Sequence, residues 1–145
     1  MAQLPPSARA LIDESGAVAH LVTIDPDGSP QVTIVWTAIE DGEICVASLT
    51  PRRKLDNVRR DPRVAITWEG TETDDLGLRH YLGISGRGRV TGGGAPEFLR
   101  RIAPRFTPPG TKFPRGDDPP AGWMLRIAPE RWRGYGPWGN GTVGG

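Results

Sequence analysis

Tight turns recur at short intervals along the chain, and they set the strongest limit on what it can fold into. Twenty glycines and fifteen prolines among 145 residues disfavour long helices and favour turns. The apolar runs at 17–24 and 30–39 are separated by Pro-Asp-Gly-Ser at 26–29, which is typical of a hairpin turn. The sequence therefore predicts a mainly β fold that is built from hairpins.

Further apolar runs extend this pattern to the end of the chain. Six short strands, mostly antiparallel, close most economically into a barrel that carries a few small helices. A length of 145 residues fits a single domain that spans 1–145. The proline-rich segment 104–121 is expected to be mobile, as a substrate lid or a dimer arm. We predict strands at 17–24, 30–39, 43–49, 63–68, 81–91 and 122–136, and helices at 6–14, 51–60 and 95–102.

Positive charge is concentrated in one segment of a chain whose net charge is only +1. Residues 51–63 hold six of the eighteen Lys and Arg residues, whereas residues 1–50 hold one basic residue and seven acidic ones. A nucleic-acid-binding domain usually has a domain-wide basic excess with interleaved aromatic residues, and this segment has no aromatic residue. We therefore expect a local anionic ligand and no nucleic-acid partner.

Several other classes of protein and site are disfavoured by the composition. The lone Cys45 excludes an intramolecular disulfide, and no apolar run approaches the ~20 residues that cross a bilayer. The first residues lack the basic and then apolar pattern of a secretory signal, so we expect a cytoplasmic protein without a membrane partner. His20 and His80 are too few and too scattered for a typical zinc or haem site, so we expect no metal.

The basic segment predicts a short helix. Thr50 is a favoured N-cap residue, and Pro51 suits the first helical position. Asp61 precedes Pro62 and is therefore disfavoured in the helical region of backbone conformation, so the helix should end near Arg60.

The first turn of this helix has the chemistry of an anion site. Its backbone N–H groups have no acceptor within the helix, and Arg52, Arg53 and Lys54 stand beside them. A cation at a helix N-terminus is disfavoured by the helix dipole unless an anion lies there. We therefore predict that Arg52 and Lys54 bind a phosphate or a carboxylate.

The second half of the basic segment has a different interpretation. Arg59, Arg60 and Arg63 are typical of a solvated helix face. Asp56 and Asp61 lie close to them in sequence and would pair with them.

Four stretches taken together resemble the split-barrel flavin-binding superfamily that includes pyridoxamine 5′-phosphate oxidase. They are VTIDPDGSPQVTIVW, TPRRKLDNVRRDPRVAITW, YLGISGRGRVT and the terminal WRGYG. The resemblance is closer to the actinobacterial branch of flavin/deazaflavin oxidoreductases, which use coenzyme F420, and it extends from about residue 5 to 138. Its most specific part is the run of Pro51, Arg52, Lys54, Asn57, Arg59, Arg60, Asp61, Pro62 and Arg63.

The resemblance implies an FMN-binding type of split β-barrel and a homodimer with the cofactor at the subunit interface. The ring of the cofactor would lie along the second strand, and its phosphate would meet Arg52 and Lys54. The aromatic residues near the C-terminus would come from the partner chain, and Tyr135 is the candidate catalytic residue, as a proton donor. The candidate cofactor-binding residues are Gln31, Thr33, Val35, Thr50, Pro51, Arg52, Arg53, Lys54, Asn57, Arg60, Trp132 and Tyr135.

Departures from the oxidase favour coenzyme F420 over FMN, which stays the alternative. The oxidase resembles this chain but binds the FMN phosphate with additional basic residues on the second strand, and the strand at 30–39 has none. Residues 131–135 also do not match the segment with which the oxidase grips its substrate phosphate. A single basic cluster suits one phosphodiester, and Arg53, Arg59 or Arg60 would meet the carboxylates of an oligoglutamate tail.

The resemblance implies hydride transfer from reduced deazaflavin to an activated C=C bond or a quinone-type small molecule. The alternatives are an FMN-binding reductase of the pyridoxamine-phosphate-oxidase type and a non-catalytic protein that binds flavin, F420 or haem. The strands are expected to leave Trp36, Trp132 and Trp138 exposed and in need of cover. Trp68 is interpreted as an ordinary core or interface aromatic residue.

Overall fold

The computed structural model describes residues 3–144, which form strands and short helices. The helices are α1 (Pro6–Glu14), α2 (Arg53–Arg60) and α3 (Ala95–Ile102), and a single 3-10 turn (Ala103–Arg105) follows α3. The strands are β1 (Ala19–Ile24), β2 (Pro30–Val35), β3 (Ala38–Glu40), β4 (Glu43–Ser48), β5 (Arg63–Thr73), β6 (Arg79–Gly92), β7 (Trp123–Tyr135) and β8 (Gly141–Thr142).

All eight strands belong to one antiparallel sheet, in the order β2-β1-β5-β6-β7-β4-β3, and β8 pairs with β7. The two end strands, β2 and β3, are separated in sequence only by Trp36 and Thr37. Three peptide units span at most about 11 Å, so the two ends of the sheet must curl towards each other. No ladder joins the end strands within residues 3–144. The sheet is therefore a split barrel, and the predicted fold class is confirmed.

The structure has eight strands where six were predicted. The segment at 30–39 is divided into β2 and β3, and β8 is an additional short strand near the C-terminus. Thr37 holds the chain at the bend between β2 and β3. Its Oγ1 accepts a hydrogen bond from Trp68 Nε1 at 3.0 Å, and its carbonyl accepts one from Arg105 Nη2 at 2.5 Å. Both contacts come from distant parts of the chain.

The predicted hairpin and the predicted helices are present. In the turn between β1 and β2, Gly28 has a φ of 87°, and Asp25 N donates to Ser29 O at 2.8 Å. α1 and α3 have the predicted bounds, and α2 ends at Arg60 as predicted. α2 begins two residues later than predicted, because Arg52 has an extended backbone with φ −136° and ψ 151°. Arg52 and not Thr50 is therefore the N-cap residue, and the predicted positions of Thr50 and Pro51 in the helix were wrong.

Two strands are longer than the sequence pattern indicated. The polar stretch at 69–78, which separates two of the predicted strands, contains the end of β5 and only a short turn before β6. Asp74 holds this turn, because its Oδ1 accepts hydrogen bonds from the N–H groups of Leu76 and Leu78, both at 2.9 Å. The last long strand, β7, is irregular where Pro129 pairs with Gly86, at a shift in its register with β6.

Two apolar clusters hold the helices on the sheet. The larger contains the fully buried Trp68, as predicted, together with Trp132 and Trp138, which are 8% and 7% exposed. The expectation that Trp132 and Trp138 are exposed was wrong, because their indole N–H groups are bonded inside the chain, to Trp138 O at 2.9 Å and Tyr81 O at 3.0 Å. The smaller cluster consists of Ala38, Cys45, Phe98, Leu99, Ile102 and Met124, and the half-buried Trp36 packs against it.

No helix within residues 3–144 is long and apolar enough to cross a membrane.

Candidate functional site

A cleft of about 810 Å³ lies in the split of the barrel. It is lined by β2, which is one end of the sheet, and by β4, which is next to the other end. The loop from β4 to α2, the start of α2, Leu99 of α3 and Phe113 complete the lining. Its volume is typical of small-molecule and cofactor sites.

Two cations of the cleft have no acidic partner within residues 3–144. The guanidinium group of Arg52 and the ammonium group of Lys54 lie farther than 4.0 Å from every described carboxylate. Burial, and then the charge of Arg52, lowers the pKa of Lys54 from its ordinary value. Like charges that are brought together with partial loss of water favour an anion between them. Arg53 also lines the cleft but lies 3.6 Å from Asp25.

The start of α2 adds backbone donors to these cations. The first bond of the helical turn runs from Leu55 N to Arg52 O at 3.1 Å, so the amides of Arg53 and Lys54 precede it. No side chain caps this end of the helix. The amides, the positive end of the helix dipole and the two unpaired cations therefore act on the same place.

A buried amide fixes α2 against the β1–β2 hairpin. Asn57 is 1% exposed, and its Nδ2 donates to Thr23 Oγ1 at 3.0 Å, to Asp25 Oδ1 at 2.9 Å and to Gln31 Oε1 at 3.2 Å. Thr23 Oγ1 also donates to Gln31 Oε1, at 3.1 Å. These bonds join α2, β1 and β2, so they hold the cations beside the cleft.

Arg60 also bonds the β1–β2 hairpin, and we call the hydrogen bonds that Asn57 and Arg60 make to this hairpin the clamp. Its Nη2 donates to Ile24 O and, at 3.3 Å, to Asn57 Oδ1. Neither Arg60 nor Asn57 lines the cleft, although both were predicted to bind the cofactor. Both residues fix the helix that carries Arg52 and Lys54, and their contact with the cofactor stays a prediction.

The other arginines of the segment pair with neighbouring acids, as predicted. Arg59 Nη1 lies 3.0 Å from Asp56 Oδ1, and Arg63 Nη2 lies 2.7 Å from Asp61 Oδ2. The hydrogen bonds from the side chain and the backbone of Arg63 lower the pKa of Asp61 to about 2. All four side chains are outside the lining of the cleft.

β2 brings three predicted ring contacts to the cleft. Gln31, Thr33 and Val35 all line it, and alternate residues of a strand share one face. Thr33 Oγ1 is buried, and no group of residues 3–144 is its hydrogen-bond partner. A buried hydroxyl normally has a partner, so this atom is available to a ligand. Thr50 also lines the cleft, whereas Pro51 does not.

The two predicted aromatic contacts near the C-terminus lie away from the cleft of their own chain. Trp132 is in the core, which leaves little of its surface for a ligand. Tyr135 is 40% exposed, and its hydroxyl donates to the Asp74 carboxylate. This hydrogen bond raises the pKa of Tyr135, which makes it a weaker acid than an ordinary tyrosine. Contact with the cleft of a partner chain stays a prediction.

Sequence reasoning missed the apolar part of the cleft. Trp36, Leu99 and Phe113 line it, and none of them was a candidate site residue. Trp36 directly follows the proposed cofactor strand, so its position was a usable signal. Leu99 and Phe113 come from α3 and the loop after it, and local sequence carries no sign that they reach β2.

A comparison with protein families decides the relationship. The family model of pyridoxamine 5′-phosphate oxidase matches residues 4–136, which is most of the chain. The chain belongs to the pyridoxamine 5′-phosphate oxidase family. The predicted family is thereby confirmed.

Solved structures of similar fold agree with this family. An F420 reductase is 25% identical with a TM-score of 0.67, over 89% of this chain and 98% of that one. A conserved hypothetical protein from Mycobacterium tuberculosis is 26% identical with a TM-score of 0.67, over 93% and 86% of the two chains. HupZ from Group A Streptococcus, at 16% identity and a TM-score of 0.65 over 97% and 100% of the chains, shows the fold alone. Among curated proteins, no sequence matches this chain significantly.

The family and the F420 reductase together give this chain the fold of flavin- and deazaflavin-binding oxidoreductases.

Proposed function

We propose that this protein is an F420-dependent oxidoreductase that transfers a hydride from reduced deazaflavin to an activated C=C bond or a quinone-type small molecule. One observation carries the proposal: within residues 3–144, Arg52 and Lys54 stand without an acidic partner at the start of α2, in a cleft of cofactor size. The likeness to an F420 reductase supports the choice of deazaflavin.

The donor groups of the cleft suit such a cofactor. Arg52, Lys54 and the first amides of α2 would hold its phosphodiester, since charge-assisted bonds to phosphate are strong. Thr33 Oγ1 would bond a polar edge of the ring system, and Val35 would contact its apolar face. β2 carries no basic residue for a second phosphate contact, which is the reason to favour F420 over FMN.

The chain itself supplies binding, orientation and shelter from water. When bound, the reduced deazaflavin supplies the hydride. The acceptor gains that hydride and one proton, so a C=C bond becomes saturated and a quinone becomes a hydroquinone. Tyr135 is held by Asp74 away from the cleft of its own chain, so in this proposal the proton comes from Tyr135 of the partner subunit or from solvent.

The proposal includes a homodimer. Val32 and Ile34 of the end strand β2 are 60% and 64% exposed, and exposed apolar side chains on a sheet edge favour cover by a partner. A second copy of the chain would provide that cover and would complete the cleft. Sedimentation of the purified protein measures the oligomeric state, and a monomer at micromolar concentration would contradict this part of the proposal.

Binding and turnover test the proposed function directly. The purified protein is titrated with F420 and with FMN, and it is then mixed with reduced F420 and menadione or an enone. We expect tighter binding of F420 than of FMN, and recovery of the absorbance of oxidised deazaflavin. Tighter binding and turnover with FMN would support the FMN-dependent alternative, and tight binding of F420 without turnover would indicate a carrier.

A further inference from the structure

The two halves of the cleft differ in chemistry. All three charged lining residues, Arg52, Arg53 and Lys54, lie at the start of α2. Gln31 is tied to α2 through Asn57, whereas Trp36 follows five residues later, roughly 16 Å along the strand direction. The half of the cleft around Trp36 is therefore separated from the cations. Trp36, Leu99 and Phe113 line this apolar half, and it contains no charged lining residue of the described chain.

Trp36 is a rigid part of the apolar half. Its ring stacks on Phe106, with centroids 4.9 Å apart and planes inclined by 5°. The guanidinium group of Arg105 lies over the Phe106 ring, 4.8 Å from its centroid. Arg105 is itself anchored by hydrogen bonds to Ser15 O at 2.8 Å and Thr37 O at 2.5 Å. Trp36 thus offers an aromatic surface that is fixed in place from behind.

Phe113 reaches the apolar half from the irregular segment 107–121, which we call the strap. Its ring centroid lies 5.2 Å from that of Trp36, with an interplanar angle of 57°. Phe113 is half-buried and Pro114 is buried, whereas their neighbours at 108–112 and 115–118 are exposed. The strap therefore touches the body of the protein chiefly through Phe113 and Pro114.

Among the described residues, hydrogen bonds fix only the two ends of the strap, where Thr107 donates to Ala103 O and Ala121 O accepts from Ala95 N. Within the described chain, the bonds of residues 108–118 stay inside the strap, from Thr111 N to Pro108 O at 3.2 Å and from Lys112 Nζ to Asp117 Oδ1 at 3.3 Å. A segment that is held by a small apolar contact opens at low cost. Phe113 can therefore move away from Trp36 and return without breaking a hydrogen bond to the sheet.

We propose that Trp36 and Phe113 form the acceptor subsite of the cleft, and that it selects flat, uncharged, aromatic molecules. A flat ring gains stacking contact with the fixed face of Trp36, and Phe113 covers it as the strap closes. A charged acceptor would lose water in this half without meeting a partner charge. This inference rests on the proposed function, because the acceptor must share the cleft with the cofactor.

Variants of Phe113 test the subsite through binding as well as turnover. Equilibrium dialysis measures the dissociation constant of menadione, with and without bound F420, for wild type, Phe113→Ala, Phe113→Tyr and Lys112→Ala. We expect Phe113→Ala to raise that constant at least about fivefold, on the scale of a lost aromatic contact. Phe113→Tyr keeps the ring, and Lys112→Ala changes an exposed neighbour on the strap, so both should stay within about twofold of wild type.

The affinity for F420, measured by fluorescence, separates this inference from the proposed function. We expect it to change by less than about twofold in all three variants, because Phe113 packs on Trp36 in the apolar half and is not among the charged lining residues. Menadione affinity that is unchanged in Phe113→Ala, or lowered equally in Lys112→Ala, would overturn the subsite. Failure of the wild-type protein to bind F420 would overturn the proposed function. The dissociation constants of menadione measured without F420 would still show whether Phe113 and Trp36 form a binding site.

The charge selectivity has its own test. The F420-loaded protein is dialysed against a naphthoquinone that carries a sulfonate group, beside menadione. We expect the sulfonated quinone to bind at least about fivefold more weakly, because the apolar half has no cation to meet it. Equal or tighter binding of the sulfonated quinone would overturn the preference for uncharged acceptors.

Discussion

The two halves of the basic segment 51–63 contain the same kinds of residue in different surroundings. Arg52 and Lys54 line the cleft without an acidic partner in the described chain, whereas Arg59 and Arg63 each bond a carboxylate a few residues away. The difference arises because Asp56 and Asp61 bond the arginines of the second half, and neither acid lies within 4.0 Å of Arg52 or Lys54. A run of positive charge is therefore informative about a ligand only after the cations with nearby acids have been set aside.

The largest expected effect comes from removing the unpaired half. Arg52→Ala combined with Lys54→Ala should weaken F420 binding by at least about 2 kcal/mol, roughly thirtyfold, because two charge-assisted contacts are lost. Arg59→Ala combined with Arg63→Ala removes the same net charge and serves as the matched control, which should bind nearly as wild type. Fluorescence titration measures the F420 affinity of both double variants. Equal losses of affinity would mean that only the net charge of the segment matters, and not the position of the unpaired cations.

The next effect concerns the clamp between the two halves. Asn57→Ala should lower the free energy of unfolding by about 2 kcal/mol, because Thr23, Asp25 and Gln31 lose a buried donor. Urea unfolding measures this change, with Arg59→Ala as an exposed control that should stay within about 0.5 kcal/mol. A stability loss no larger than that of the control would mean that the clamp does not hold α2.

A smaller effect is expected in the pH dependence of binding. The pKa of Lys54 is lowered from its ordinary 10.5 by burial and by Arg52, so its positive charge is lost at a lower pH than that of an ordinary lysine. F420 affinity should therefore fall as pH rises through this lowered pKa. In Lys54→Arg the fall should vanish, and in Arg52→Ala it should move to higher pH. Titrations in alkaline buffers measure it, and an identical fall in Lys54→Arg would assign it to another group.

The smallest effect belongs to the paired half. Arg63 holds the pKa of Asp61 at about 2, below the ordinary 3.8, so the pair stabilises the folded state above pH 3.8 and loses that effect as the pH falls through about 2. Carboxyl NMR titration should give this low midpoint in wild type and a higher one in Arg63→Ala, still below the ordinary value because the backbone N–H of residue 63 continues to donate to Asp61. F420 binding at neutral pH should be the same in both proteins, and a clear loss in Arg63→Ala would place Arg63 in the site.

Much of the fold could be predicted because local residues decide it. The Gly28 turn and the Asp61-Pro62 stop act within a few residues, and both lie where the sequence indicated. The break between β2 and β3 could not be predicted, because it depends on Trp68 and Arg105 bonding to Thr37 from far along the chain.

The candidate site could also be predicted only in part: residues placed by local structure were found, and residues placed by distant contacts were not. The cations at the start of α2 and the alternating residues of β2 reach the cleft, because a helix start and a strand face can be recognised from sequence. The motif that contains Asn57 and Arg60 gave no sign that these residues also bond β1 and β2 and so fix the helix, because their partners lie far away in sequence. The position of Phe113 in the cleft could not be predicted, because its partner Trp36 is far away in sequence.

The link of Trp36 and Thr37 between the two ends of the sheet has a mechanical consequence. The covalent connection limits the distance between the end of β2 and the start of β3, whatever molecule binds nearby. Substitutions of lining side chains can therefore change the surface of the cleft, but they cannot increase the separation of β2 and β3 beside the link. For an acceptor that binds beside Trp36, this connection would limit the thickness of the molecule, and insertion of residues between Val35 and Ala38 is the change that should relax the limit.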